Sequence, residues 1–184
     1  MKLIIFGPPG SGKSTIAKMF RLVYISSGKI FRYELKQKTK LGIEAYKKYW
    51  GKGNLVPDNI TLKIITKVIK RARNNFIIDG FPRTIKQAQE LTKVCDIDYV
   101  IVLEVPYNFL KERLLKRAKI EGRKDDTPET IKQRFKVYKK QTEPVLKYYK
   151  DKIIKINANR KPKNIEKEIV KILKNANRSF KAKS

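Results

Sequence analysis

Histidine is missing from this chain of 184 residues. Imidazole is thereby excluded as a general base, proton shuttle or metal ligand. The one cysteine, Cys95, can form no internal disulfide and cannot by itself build a thiolate zinc site. That usage fits a reducing compartment, and a cytoplasmic location is the expectation. Long apolar runs are also missing. The longest, at residues 3–6 and 99–103, are strand-sized and far too short to cross a bilayer. The first residues pass from a lone lysine straight into a strand and a Gly-rich turn, a pattern without the features of a secretory signal. Acidic residues are scarce: 17 Asp+Glu face 45 Lys+Arg, a formal net charge of +28. Such a field draws in polyanions, whether nucleotides, RNA, DNA or an acidic membrane surface. A lysine-rich solvated surface accounts for the same number, so charge alone leaves the partner open.

What is present suits one globular domain, with 41% hydrophobic and 34% charged residues. Strand patterns at Lys2–Phe6, at residues 24–25, at Phe76–Asp79, at Tyr99–Glu104 and at 152–156 alternate with helical periods. Helices are expected over 13–22, 29–38, 42–50 and 58–71, with Asp58 as N-cap of the last. Further helices carry Ile85, Ala88 and Leu91, and then Leu110, Leu114 and Ala118, with Arg113 and Arg117 on a face beside the latter set. Thr127, Pro128 and Glu129 open another helix, which Pro144 should kink. A last helix is expected over 164–176, followed by a basic disordered tail over 177–184. Alternating strands and helices imply an α/β fold, a five-stranded parallel sheet with helices on both faces. One domain over 1–176 is expected, with inserts at about 26–56 and 120–127.

Two motifs carry chemistry. Gly7-Pro8-Pro9-Gly10-Ser11-Gly12-Lys13-Ser14 matches G-x-x-x-x-G-K-[ST] directly after a strand and before a helix. Its backbone N–H groups can converge on phosphate oxygens, with Lys13 reaching the outer phosphates and Ser14 a Mg²⁺ ion. A simple glycine turn with a surface lysine would not bring strand, loop, lysine and hydroxyl into this register. Asp79 ends the apolar strand Phe76-Ile77-Ile78, so its carboxylate should emerge at the same sheet edge, where a Mg²⁺-water partner sits in P-loop enzymes.

Asp79-Gly80-Phe81-Pro82-Arg83-Thr84 resembles the D-G-F-P-R-T signature of the adenylate kinase family. Gly122-Arg123-Lys124-Asp125-Asp126-Thr127-Pro128-Glu129-Thr130 is similar to that family's lid segment. Ile25-Ser26-Ser27-Gly28 and Leu55-Val56-Pro57-Asp58 resemble its AMP-side segments, all in the family's order from about residue 1 to 156. The resemblance implies a P-loop fold with a helical nucleoside monophosphate insert and a short lid, and transfer of a phosphoryl group from Mg-ATP to AMP. It implies that the loop from Gly7 to Ser14, with Thr15, Arg113 and Arg117, holds ATP. Ser27, Arg32, Gly80 and Arg83 would hold the AMP phosphate, Leu55 and Val56 would line the base pocket, and Gln87 would read the adenine edge. Lys13, Arg83, Arg117, Arg123 and Arg134 would surround the transferring group, with Asp125 and Asp126 coupling lid closure to the arginines. Ser14, and Asp79 through water, would serve Mg²⁺. The lid has no cysteines for zinc, and a monomer is expected.

The chain departs from the family pattern in two places. Lys29 stands where an aspartate is usual, reversing a charge near the phosphates, and the stretch from Ser14 to Ile25 is about one helical turn short. Tyr24 has no assigned role. Two other readings compete. A UMP or CMP kinase would use the same scaffold, but the amide of Gln87, which both donates and accepts, favours adenine. A basic P-loop protein that binds RNA would explain the charge, yet the basic residues are scattered and no RNA-reading aromatic motif occurs. Incidental RNA binding remains an expectation from charge.

Overall fold

The computed structural model describes residues 1–123 and 125–181, with side chains described as far as Ala176. Lys124 of the lid segment and residues 182–184 of the expected tail lie outside the described residues. Strands β1 (Lys2–Phe6), β2 (Val23–Ser26), β3 (Phe76–Asp79), β4 (Tyr99–Glu104) and β5 (Ile153–Asn157) form one sheet in the order β2-β3-β1-β4-β5. Every neighbouring pair is parallel. Parallel strands need crossovers, and these are helical. The register sets Ile5 against Asp79 and Asp79 against Ser26, so β1, β3 and β2 end together. Three loops therefore leave one sheet edge side by side, the usual place for a ligand in such sheets.

Alternation along β1 splits the core. Ile4 and Phe6 pack on one face with Ile65 and Ile69 of α4 (Asp58–Ala72), Ala88 and Leu91 of α5 (Ile85–Thr92) and Val145 of α8 (Val145–Tyr148). Leu3 and Ile5 pack on the other with Ile16 and Ala17 of α1 (Lys13–Ala17) and with Ile165, Ile169 and Leu173 of α9 (Pro162–Lys181). Both faces of the central strands are covered, which explains their nearly continuous apolar sequence.

Helices α2 (Ser27–Lys36) and α3 (Lys40–Lys48) form a hairpin beyond β2 with a small core of Phe31, Ala45 and Val56. Thr39 joins them: its Oγ1 accepts from the Gly42 N–H at 3.0 Å, capping α3, and donates to Glu34 Oε2 at 2.8 Å. Helices α6 (Tyr107–Glu121) and α7 (Pro128–Val137) flank the lid segment. Thr127 and Thr130 form the cap of α7, with Pro128 in its first turn.

Several elements differ from the sequence expectations. Helix α1 stops at Ala17, five residues before the expected end. The chain has residues 18–22 in which to pass β1 and β3 and enter β2 at the sheet edge, and a longer helix would point it away. Helix α7 gives way to a π turn over Tyr138–Thr142, closed by Glu143 N–H donating to Tyr138 O at 2.8 Å, and Pro144 then caps α8. The expected kink is thus spread over one wide turn. The backbone of α9 continues past residue 176 to Lys181.

Gly42 fixes the α2–α3 spacing. A Cβ there would lie 2.3 Å from the Glu34 carbonyl carbon and 2.4 Å from Leu35 N, both backbone atoms that cannot step aside. Gly42→Ala should therefore lower stability by about 1–3 kcal/mol in urea unfolding. Amide exchange should accelerate in residues 27–48 and stay slow in the sheet.

Candidate active site

A cleft of about 710 Å³ opens at the shared edge of β1, β2 and β3. The loop after β1 forms its floor. Gly10 has φ +84, and a Cβ on it would lie 2.7 Å from Leu110 O of α6, so only glycine lets the loop lie this close to that helix. Lys13 Nζ lies along the loop and donates to Gly7 O at 2.7 Å, Pro8 O at 2.8 Å and Ser11 Oγ at 3.3 Å. Burial is the main cause that lowers its pKa to about 8. Asp79 opposes the shift, and Arg83 and Arg117 add to it.

The segment after β3 forms one wall. Gly80 has φ +76, and a Cβ there would meet Ser27 Oγ at 2.7 Å and Arg83 Nη2 at 3.0 Å. Its carbonyl accepts from Ser27 Oγ at 2.6 Å and from Arg83 Nε at 2.9 Å, which ties the start of α2, the end of β3 and the arginine to one atom. The π turn contributes as well, since Thr142 Oγ1 donates to Arg83 O at 3.2 Å. Burial pulls the Arg83 pKa down, Asp79 raises it, and Arg134 and Arg32 lower it again. Arg32 follows the same pattern: burial first, then repulsion from Arg123, with Asp125 opposing.

Over the cleft, Arg117 grips Asp126 with two bonds, Nε to Oδ2 at 2.8 Å and Nη2 to Oδ1 at 2.9 Å. Arg134 donates to both Asp125 and Asp126. Both carboxylates are 3% exposed, so each is buried with its cation partner. Arg123 pairs instead with Glu121 at 2.6 Å, a partner not foreseen from the sequence. Asn54, on the insert, accepts from Gln133 Nε2 of α7 at 2.8 Å and joins the two sides of the cleft.

Most of the residues singled out in the sequence line this one cleft: Gly7, Pro9, Gly10, Gly12, Lys13, Ser14, Thr15, Ser27, Arg32, Leu55, Val56, Asp79, Gly80, Arg83, Gln87, Arg113, Arg117, Arg123 and Arg134. Pro8 and Ser11 are not among its lining residues; they hold Lys13 from below. Asp58 does not cap α4, because Pro57 occupies the cap position and Asp58 is the first helical residue. Its carboxylate accepts from Gln87 Nε2 at 2.7 Å and Thr84 Oγ1 at 2.9 Å. Gln87 Oε1 in turn accepts from Arg83 N–H at 2.7 Å. The Gln87 amide thus keeps one N–H and one oxygen lone pair for another partner. Arg113 donates to Asn159 Oδ1 at 3.1 Å at the cleft margin.

Sequence reasoning passed over Tyr24, whose hydroxyl donates to Asp79 Oδ2 at 2.7 Å. No sequence signal marks it, since the contact joins neighbouring strands 55 residues apart. Trp50 and Phe31 also line the cleft and were not foreseen. Among the described residues no group of three or more His, Cys, Asp or Glu converges as a metal cage. Ser14 and Asp79 offer hard-oxygen donors beside the loop, a chemistry that fits Mg²⁺ with phosphate and water as its other ligands. Among the described residues no helix is long and apolar enough to cross a membrane.

Comparison with known proteins agrees with this geometry. The family model described as adenylate kinase matches residues 5–154. An adenylate kinase of Clostridium botulinum (strain Loch Maree / Type A3) is 40% identical over 189 aligned positions, covering 82% of this chain and 87% of its own. One from Bifidobacterium longum (strain NCC 2705) is 42% identical over 160, covering 81% and 86%. A Clostridium novyi (strain NT) adenylate kinase is 37% identical over 190, covering 83% and 88%. A glycine-rich loop between β1 and α1, an arginine-lined cleft and these matches lead to one conclusion: the chain belongs to the adenylate kinase family.

Proposed function

We propose a division of labour by which this cleft transfers the γ-phosphoryl group of ATP to AMP, yielding two ADP. The observation that carries it is the convergence of Lys13, Arg32, Arg83, Arg117, Arg123 and Arg134 on one cleft between the glycine loop and the insert. The reacting oxygen of AMP is already anionic, so no side chain has to remove a proton from it. A chain without histidine suffices, because the work is alignment and charge neutralisation. Lys13 leaves its loop carbonyls for the β- and γ-phosphates of ATP, and the loop N–H groups hold the α- and β-phosphates. Arg32 and Arg83, with Ser27 and Gly80, hold the AMP phosphate. Arg117, Arg123 and Arg134 close over the equatorial oxygens of the group in flight, and Arg113 borders the ATP side.

Ser14 and, through water, Asp79 would hold Mg²⁺, which would supply positive charge to neutralise the phosphates of ATP. Asp125 and Asp126 keep Arg117 and Arg134 side by side before substrate arrives. Leu55 and Val56 border the AMP base, and the remaining N–H and lone pair of Gln87 suit the adenine edge. Closure excludes water, which would otherwise take the phosphoryl group.

Purified protein given Mg-ATP with AMP, UMP, CMP, GMP or dTMP should form nucleoside diphosphate chiefly from AMP. Lys13→Ala and Arg83→Ala should each lower kcat by about 10²–10³-fold. Faster turnover of UMP or CMP would keep the mechanism and reject Gln87 as the adenine reader.

Lys13 provides a pH test. With its pKa near 8, about half of it is neutral at pH 8 in the free enzyme. Phosphate oxygens favour the charged form, so binding raises the pKa and takes up a proton. Titration calorimetry of metal-free ATP at pH 8, in buffers of different ionisation enthalpy, should show uptake of roughly half a proton relative to Lys13→Ala. Equal proton exchange in the two proteins would contradict it.

A further inference from the structure

We propose that Tyr24 is a positioning residue for Asp79, holding that carboxylate clear of the surrounding cations so that it can serve the metal's water. The proposal rests on the reading of Asp79 as the Mg²⁺-side acid. Asp79 is 8% exposed and borders the same cleft as Ser14. Lys13, Lys29 and Arg83 all lie close enough to feel its charge. A buried carboxylate among three cations would ordinarily collapse onto one of them.

Among the described residues, however, Asp79 enters no ion pair. Each cation is held elsewhere. Lys13 donates to the carbonyls of Gly7 and Pro8, and Arg83 Nε donates to Gly80 O. Lys29 Nζ stands 4.7 Å from the centroid of the Tyr24 ring, a cation–π contact. Tyr24 therefore acts twice. Its ring face engages the nearest surface cation, and its hydroxyl donates to Asp79 Oδ2 at 2.7 Å.

The strand register builds this arrangement. Tyr24 pairs with Ile77 and Ser26 with Asp79, so Tyr24 stands two residues back along β2 on the Asp79 side of the sheet. A phenol spans that diagonal. The bond occupies one carboxylate oxygen and leaves the other, Oδ1, for a metal-bound water. The lysine that reverses the charge at position 29 is accommodated by the same side chain.

Tyr24→Phe keeps the ring and its contact with Lys29 and removes the hydroxyl that holds Asp79. Calorimetry would measure ATP affinity in EDTA and again in saturating Mg²⁺, for the unmodified protein, Tyr24→Phe and Asp79→Asn. The gain in affinity on adding Mg²⁺ should fall about three- to tenfold in Tyr24→Phe, the range of one ordinary intramolecular hydrogen bond. Affinity in EDTA should change little, and half-activating Mg²⁺ in turnover should rise while KM for AMP holds. A reduced gain in Asp79→Asn with an unchanged one in Tyr24→Phe would overturn the role of Tyr24. An unchanged gain in Asp79→Asn would overturn the reading of Asp79 itself, and the role of Tyr24 with it.

Discussion

Mutual repulsion among cations is the constraint on which this molecule depends. Among the described residues four lysines and six arginines border a single cleft, and burial makes Lys13, Arg32 and Arg83 harder to keep charged. Two buried carboxylates relieve part of that strain. Asp126 bridges Arg117 and Arg134, and Asp125 takes the second nitrogen of Arg134. The pairs organise the cleft more than they stabilise the fold, because desolvation offsets much of the attraction in such a bridge. What remains is an excess of positive charge in a partly enclosed space. Polyphosphates carry the complementary charge, and their binding completes the neutralisation.

The sheet makes this arrangement possible. β1 is its central strand, and the two apolar layers hold both of its faces rigid. The glycine loop, Gly80 and Ser27 then leave the sheet at one edge by register alone. The arginines on α6 and α7 and at the Gly80 turn reach over that edge from helices that the core anchors less directly. Among the described residues one hydrogen bond, from Gln133 to Asn54, links the α7 side to the insert. A rigid floor with a lightly tied roof is the architecture expected where the roof must open for substrates.

Local signals in the sequence were read with little loss. The loop from Gly7 to Ser14 is contiguous, its strand is apolar, and β3 and β4 each run from the start of an apolar stretch to the acidic residue that follows it. The cap of α7 was equally clear, being encoded within Thr127 to Thr130. Loss began where distant partners compete for a side chain. Asp58 reads locally as a helix cap, yet Pro57 holds that position and Gln87, 29 residues on, takes the Asp58 carboxylate. Gln87 in turn loses half of its bonding capacity to Asp58 and the Arg83 backbone, which no local pattern records. Tyr24 looked like an ordinary strand residue until β3 was set beside it. Helical periodicity ran α1 on to about residue 22. The shortness of the stretch from Ser14 to Ile25 already pointed to a shorter first helix or a tightened connection, and α1 does end at Ala17.

The central claim is that the cleft binds ATP and AMP at once and brings their phosphates end to end. A single molecule with two adenosines joined through five phosphates tests it directly. Tethering donor and acceptor makes the second contact intramolecular, so calorimetry should find it about 10²–10⁴-fold tighter than ATP alone. AMP should also compete with it. Affinity no greater than that of ATP, with no competition from AMP, would mean that the cleft holds one nucleotide and would contradict the account.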